Sequence, residues 1–239
     1  MDNVVIAIPA FEPDSRLPKL VRRLKADFRD IVVVDDGSRA AIAVFEDLRT
    51  IEGVIVLSHD TNRGKGAALK TAFAEILRRF PRAVGTITVD ADGQHLSEDV
   101  VRIAESLTRH PDRLTLGVRT FGTDIPFRSR LGNLWTIAEF HLLTGRHVRD
   151  TQTGLRGIPL SFLPTLTSIP GDRYDYEIRM LANIALRSRG LIQIPIATVY
   201  ETGNATSHFR PLADTLSTQR ALFAEALTAR FGGRSRASR

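Results

Sequence analysis

The 239 residues suit one α/β domain and are few for two. Apolar residues make up 43 %, enough for a real core, and the absence of Cys excludes a disulfide scaffold and a thiolate metal site while fitting a reducing compartment. A net charge of +6 and a pI near 10.3 point to an anionic partner or to a merely basic, solvated surface; with aromatics at 7 % and no aromatic-interleaved basic stripe, no nucleic-acid partner is expected.

The N-terminal MDNVVIAIPAF has no positive segment before its apolar run, so it reads as a strand and not as a signal peptide. Val4–Ile8 is continuous and apolar, as in a strand covered on both faces, and Ile31–Val34, Val54–Leu57, Thr86–Val89 and Leu114–Gly117 repeat the pattern. Helical segments lie between them at Leu17–Lys25, Ala41–Leu48, Lys65–Arg79 and Glu98–Thr108, the last with Ser97 placed to cap it. Strands alternating with helices predict a mostly parallel sheet flanked by helices, with ligands beyond the carboxyl ends of its strands. One crevice would then gather Pro9–Asp14, Asp35–Arg39, His59–Gly66, Asp90–His95 and Arg119.

The second half is less regular. Arg128–Leu143 has apolar residues at 131, 134, 135, 138 and 142, close to helical spacing. Tyr174–Arg189 and Pro211–Phe231 are further helix candidates, and Leu191–Val199 is a strand candidate. The tail Arg230–Arg239 holds four arginines with Gly and Ser and reads as disordered. Nowhere do ~18 apolar residues run together, so no transmembrane helix is expected.

Three segments carry chemistry. In TVDADGQH a buried strand stops at Asp90 and Asp92, with Gln94 two further on. Alternate residues of an extended segment point the same way, so these oxygens can converge on one hard cation; a polar turn ending a strand is the plainer reading. In IVVVDDGS, paired acids and a glycine follow a strand, suited to a ribose hydroxyl or base N–H, or equally to a turn capped by Ser38. In NRGKGA, glycines and Lys65 open a helix, where a phosphate or nucleotide edge fits, as does ordinary loop chemistry. The Walker A spacing is absent.

VVIAIPAFEPD, VVVDDGS, HDTNRGKGAALKTAF, TVDADGQH and LGVR occur in an order and spacing that resemble glycosyltransferase family 2, the inverting GT-A enzymes, in the branch of dolichol-phosphate mannosyltransferase and polyprenyl-phosphate glycosyltransferases. The resemblance covers residues 3–215 and implies a single GT-A domain over 1–231. Its Rossmann-like nucleotide-sugar half would span 1–118, its acceptor half 119–231, and a basic tail 232–239. It implies a nucleotide site of Pro9, Phe11, Glu12, Asp36 (to the base), Lys65, Asp90 and Ala91. A divalent cation, Mg²⁺ or Mn²⁺, would sit on Asp90, Asp92 and Gln94. The branch has Asn-Glu after its first aromatic where this chain has Phe11-Glu12-Pro13, displacing the acid by one position.

On the acceptor side the resemblance places a lipid phosphate against Arg119, Arg128, Ser129, Arg130 and Asp150, with Glu177 organising the pocket. A lid, GNATSHFRP, would bring His208 or Arg210 to the diphosphate or the metal. Catalysis would rest on Asp90, Asp92 and Glu177. A sugar hydroxyl acceptor in polysaccharide synthesis is the alternative and would need Asp150 or Glu177 as base. A nucleotidyltransferase is disfavoured because Ala10–Arg16 has no glycine, and a non-catalytic nucleotide-sugar binder because both acids are intact. The expected location is cytoplasmic, at most peripheral on the cytoplasmic face of a membrane through the basic tail, in cell-envelope polysaccharide synthesis.

Overall fold

In a computed structural model of the chain the described residues are 1–119, 127–187, 190–197 and 219–225, the side chains of 127–134 excepted. Seven strands, β1 (Val4–Ala10), β2 (Asp30–Asp35), β3 (Val54–Ser58), β4 (Gly85–Thr88), β5 (Leu114–Arg119), β6 (Arg156–Pro159) and β7 (Leu191–Ile196), form one sheet in the order β3-β2-β1-β4-β6-β5-β7. Every pairing is parallel except the two made by β6, which runs against both β4 and β5. The helices are α1 (Arg16–Leu24), α2 (Ile42–Arg49), α3 (Lys65–Arg79), α4 (Ser97–Arg109), α5 (Phe127–Thr144), the short α6 (Leu163–Leu166) and α7 (Asp175–Arg187). This is the mostly parallel α/β sheet flanked by helices that the alternating pattern predicts.

The continuous apolar strands are explained by burial on both faces. Val5, Ala7, Val32 and Val34 face a layer built from α3, α6 and α7, while Val4, Ile6, Ile8, Ile31 and Val33 face α1, α2 and α4. Each such aliphatic side chain contributes roughly 1.5–3 kcal/mol when fully buried. Ala221 and Leu222, in the helical stretch 219–225, join the first layer.

Two expectations change, the Ser97 cap and the extent of the last strand. Ser97 is the first residue of α4, not its cap; Leu96 occupies the cap position in extended conformation, and no side chain caps that end. Arg156–Pro159 forms β6, a strand without a clear apolar pattern. The seventh strand ends at Ile196, and of the helix expected over 211–231 only 219–225 falls among the described residues, where it is helical. In α5 the apolar spacing marks a helix, but Trp135, Ala138 and Leu142 are exposed while Thr136 and Phe140 face inward. No helix among the described residues is long and apolar enough to cross a membrane.

Candidate active site

The loops that leave β1, β2 and β3 meet first, and their acids turn inward. Asp36 follows β2 and is only 2 % exposed. Its Oδ1 accepts from Arg63 N (2.9 Å) and lies 2.7 Å from His59 Nδ1, and its Oδ2 accepts from Gly64 N (2.7 Å). His59 Nε2 continues to Thr71 Oγ1 at 2.9 Å. Glu12, in the left-handed region at φ 46°, accepts from Arg39 N (2.7 Å) and Ala40 N (3.1 Å), while its own N–H donates to Ser38 Oγ (2.8 Å). In this arrangement the Asp36 carboxylate accepts from the amides of its neighbouring loop and supports that loop. Pro9 is buried within β1, and Phe11 and Ala91 are half-buried at the exits of β1 and β4.

The NRGKGA segment has a similar explanation. A Cβ on Gly64 would lie 2.3 Å from the Asp172 carbonyl, and one on Gly66 would lie 2.5 Å from Tyr176 Cβ. Ala67 N donates to Asp172 O at 3.0 Å. The glycines let α3 start against the chain entering α7, and Asp36 and Asp172 take N–H groups there that a phosphate would otherwise seek.

Lys65 leaves that helix start in another direction. Its Nζ lies 2.7 Å from Asp90 Oδ1 and 2.8 Å from Glu177 Oε2, joining the exit of β4 to the first turn of α7. Burial would lower the Lys65 pKa, but the charges of Asp90 and Glu177 outweigh it and hold the ammonium above the ordinary lysine value. Burial would raise the Asp90 carboxyl, yet Lys65 and then His95 hold it well below the usual range.

Asp90 also rests on a surface with no room for a side chain. A Cβ on Gly154 would fall 2.2 Å from Asp90 Oδ2, and the Gly154 carbonyl is fixed by Thr88 Oγ1 at 2.7 Å. Because β6 is antiparallel, its entry segment arrives at the carboxyl end of β4 and β5, which brings Gln152–Gly154 beside Asp90. The chain then turns over 91–93, with Gly93 at φ 75°, so Asp90 and Asp92 are separated by a turn and not by the expected extended stretch. Asp92 Oδ1 accepts from Gln94 N at 3.0 Å. Burial first, and the Asp90 charge second, push the Asp92 carboxyl above its ordinary value. His95 Nε2 is buried, lies 3.5 Å from Asp90 Oδ2 and makes no hydrogen bond.

By their chemistry, the two carboxylates and the Gln94 amide are oxygen donors of the kind a hard divalent cation takes. Among the described residues no three His, Cys, Asp or Glu side chains are grouped for a metal, so protein groups alone do not close a cage.

Across the cleft stands Arg119 at the end of β5. Its Nε and a terminal nitrogen donate to the two oxygens of Asp150 at 2.7 and 3.0 Å, and Asp150 is fully buried. Asp150 therefore lies behind Arg119, where it orients the guanidinium and does not itself meet an acceptor. Asp90, Gln94, His95, Arg119, Gln152 and Thr153 are among the residues lining a small cleft open to solvent. Below it the buried Arg156 donates to the carbonyls of Thr153 (2.9 Å), Glu177 (2.6 Å) and Thr151 (3.4 Å), fixing the 151–153 segment against α7. Burial lowers its pKa, with Glu177, Asp150 and Asp90 opposing that shift.

His95, Gln152–Gly154 and Arg156 escape a reading by local pattern, although His95 stands in TVDADGQH itself. Arg128, Ser129 and Arg130 lie in the first turn of α5 with their side chains outside the description. His208, Arg210 and the 230–239 tail lie outside the described residues.

Residues 5–161 match the family described as glycosyl transferase family 2. An uncharacterised protein of Methanocaldococcus jannaschii is 30 % identical over 205 residues, 83 % of this chain and 82 % of that protein. UDP-N-acetylglucosamine–dolichyl-phosphate N-acetylglucosaminyltransferase of Methanococcus voltae is 25 % identical, covering 82 % of this chain and 86 % of its own. Undecaprenyl-phosphate mannosyltransferase of Micrococcus luteus is 27 % identical, covering 82 % and 84 %. Among solved structures, glucosyl-3-phosphoglycerate synthase of Mycobacterium tuberculosis, in complex with Mn²⁺, UDP and phosphoglyceric acid, superimposes with a TM-score of 0.65 at 17 % identity, over 95 % of this chain and 78 % of that one, and so shares the fold. With its strand order, its acidic β4 exit and these relatives together, the chain belongs to glycosyl transferase family 2 and is a glycosyltransferase of GT-A fold, matching the polyprenyl-phosphate branch.

Proposed function

We propose that the chain moves a sugar from a nucleoside-diphosphate sugar to a polyprenyl phosphate, by a single displacement that inverts the anomeric carbon. The observation that carries this reading is the commitment of the two candidate bases. Asp150 is buried and clamped by Arg119, and Glu177 is paired with the Lys65 ammonium, which it shares with Asp90. Neither is placed to take a proton from a sugar hydroxyl. A phosphate acceptor is already an anion at neutral pH and needs no such base; positioning and charge stabilisation suffice. The dolichyl-phosphate and undecaprenyl-phosphate transferases among the relatives support the same acceptor class.

The residues divide the work between them. Arg119, its fork held flat by Asp150, faces the cleft where phosphate oxygens would enter. Arg128, Ser129 and Arg130 extend that acceptor side. Lys65 and the bare backbone of Gly154 fix the orientation of Asp90, and Glu177 holds Lys65 from the far side. Asp90, Asp92 and Gln94 would hold a Mg²⁺ or Mn²⁺ ion, which when bound neutralises charge growing on the leaving diphosphate. Phe11 and Glu12 flank the nucleotide. The enzyme works at the cytoplasmic face of a membrane, in assembly of cell-envelope polysaccharide.

The test is release of nucleoside diphosphate from UDP-, GDP- and TDP-sugars with Mn²⁺ or Mg²⁺, with a short polyprenyl phosphate or a free sugar as acceptor. Turnover with the lipid phosphate and with EDTA-sensitive rates is the expected result. Asp92→Asn abolishes it while the fold persists. Equal turnover with sugar hydroxyls alone, or full activity in EDTA, refutes the proposal.

A further inference from the structure

Between Asp90 and Arg119 the wall of the cleft is the irregular segment 151–154, and it is held more firmly than an exposed loop requires. Asp150 Oδ1 accepts from Gln152 N at 3.0 Å and from an Arg119 terminal nitrogen at 3.0 Å. One buried oxygen therefore fixes how Gln152 stands relative to Arg119. Arg156 donates from behind to the carbonyls of Thr151 and Thr153, and Thr88 donates to that of Gly154. Two residues beyond Gln152, Gly154 lies against Asp90. Thr151 and Thr153 are each 2 % exposed, whereas Gln152 is exposed and lines the cleft. The backbone is fixed from behind and one side chain is presented.

That side chain differs in chemistry from the rest of the wall. Asp90 pairs with Lys65, and with Asp92 and the Gln94 amide it suits a cation, while Arg119 suits phosphate. The Thr153 hydroxyl accepts from Leu155 N at 3.3 Å, and Ile196 and Ala197 are apolar. Among the described residues the Gln152 amide has no hydrogen-bond partner. It carries no charge and offers an acceptor oxygen beside two N–H donors. Sugar hydroxyls also donate and accept, so they match it, whereas phosphate oxygens take a cation in preference. A diphosphate at Asp90 and Asp92 and an acceptor phosphate at Arg119 leave the transferred sugar in the gap that Gln152 borders.

We propose that the Gln152 amide reads hydroxyl groups of the transferred sugar and so helps decide which donor is used. The ligand class is a sugar edge with neighbouring hydroxyls, one donating to the amide oxygen and one accepting from its N–H. A site built to hydrogen-bond a hydroxyl discriminates against a sugar that lacks it. This role rests on the nucleotide-sugar reading of the cleft and not on the choice of acceptor.

Calorimetry without any acceptor tests it. UDP-glucose, UDP-N-acetylglucosamine, TDP-glucose and GDP-mannose are titrated into the full chain with Mn²⁺, each beside its sugar-free nucleoside diphosphate. With the tightest of the four sugars, Gln152→Leu is expected to weaken binding roughly three- to tenfold, as the loss of a neutral hydrogen bond does. The Kd of the matching nucleoside diphosphate stays the same, and so does the urea midpoint, because the side chain is exposed. In diphosphate release, the ratio of kcat/KM between two sugars on that nucleotide moves toward unity. Equal weakening of the nucleotide sugar and the sugar-free diphosphate puts Gln152 on the diphosphate and overturns the proposal. So does a leucine variant that binds both as the parent does, a variant in which only the KM for polyprenyl phosphate rises, or a parent that binds none of the four sugars. Failure of polyprenyl phosphate as acceptor refutes the lipid-phosphate reading and leaves these binding constants untouched.

Discussion

The loops after β1–β3 and the cleft between β4 and β5 are both rich in acids at strand ends, yet they use them in opposite ways. In the first region Glu12 and Asp36 turn their carboxylates onto backbone N–H groups of the 39–40 and 63–64 segments. In the second, Asp90 is held by a lysine and a bare glycine backbone, Asp92 has one oxygen on Gln94 N, and His95 Nε2 stays without a hydrogen bond. The first arrangement satisfies itself and shapes a wall. The second leaves polar groups incompletely satisfied, which is costly unless a ligand completes them. An acid at a strand end therefore does not by itself mark a ligand contact; its hydrogen-bond inventory decides.

The sharpest way to break this comparison is at the cleft. Gly154→Ala puts a methyl where Asp90 now lies and must displace the carboxylate or the β6 entry segment. Because misplacement near 1 Å in a reacting site costs on the order of 100-fold, diphosphate release is expected to fall at least that far, while thermal unfolding moves only slightly. An active Gly154→Ala enzyme removes Asp90 from the site. Next comes Arg119→Ala, which leaves Asp150 buried without its cation. Breaking such a pair costs about 3–5 kcal/mol, read as a lower urea midpoint, together with a raised KM for the lipid phosphate. Arg119→Lys separates the two effects: it keeps charge near Asp150 but loses the planar fork, so KM rises more than stability falls.

These contacts bear on how far a sequence can be read. The two-sided apolar runs at Val4–Ile8 and Ile31–Val34 announce central strands, because nothing else buries an unbroken run with polar turns at each end. The acids at Asp90 and Asp92 are visible for the same reason: an apolar strand stops at them. β6 is not visible. It is RGIP, four residues with an Arg, a Gly and a Pro, and it is a strand only because Thr88 and Thr86 of β4 stand opposite Arg156 and Ile158. Arg156 has no pattern either, since its carbonyl partners are Thr151 and Thr153 in the irregular segment just before it and Glu177 in α7. In α5, spacing shows a helix but not which side is inward. Phe140 and Thr136 hold the buried side, and the Trp135–Leu142 stripe stays out. Pairing that depends on tertiary neighbours leaves no periodic trace in the chain.

In the self-satisfied wall, smaller effects are expected, and they fall on stability before activity. Asp36→Ala removes the acceptor of two loop amides and of His59, and leaving buried donors unpaired costs about 1–3 kcal/mol each where water cannot replace the lost partner. A lower unfolding midpoint with kcat reduced much less than in Gly154→Ala is the expected pattern. If Asp36→Ala instead folds like the parent and loses only nucleotide affinity, the carboxylate is a ligand contact after all and the contrast between the two regions fails.

The smallest effect separates two contributions at one residue. Glu12 holds a left-handed backbone at φ 46° while its carboxylate accepts from Arg39 N and Ala40 N. Both Glu12→Ala and Glu12→Gly lose those hydrogen bonds, and only glycine relieves the unfavourable φ. Glycine also adds freedom to the unfolded chain, which opposes the gain. With left-handed conformation costing a non-glycine residue roughly 1–2 kcal/mol and the entropic penalty of glycine about 0.5–1 kcal/mol, Glu12→Gly should be the more stable variant by up to about 1.5 kcal/mol. Urea denaturation of the pair reads this directly. If the alanine variant is the more stable one, the left-handed turn at Glu12 is not enforced by the surrounding loop, and the wall is less rigid than its hydrogen bonds imply.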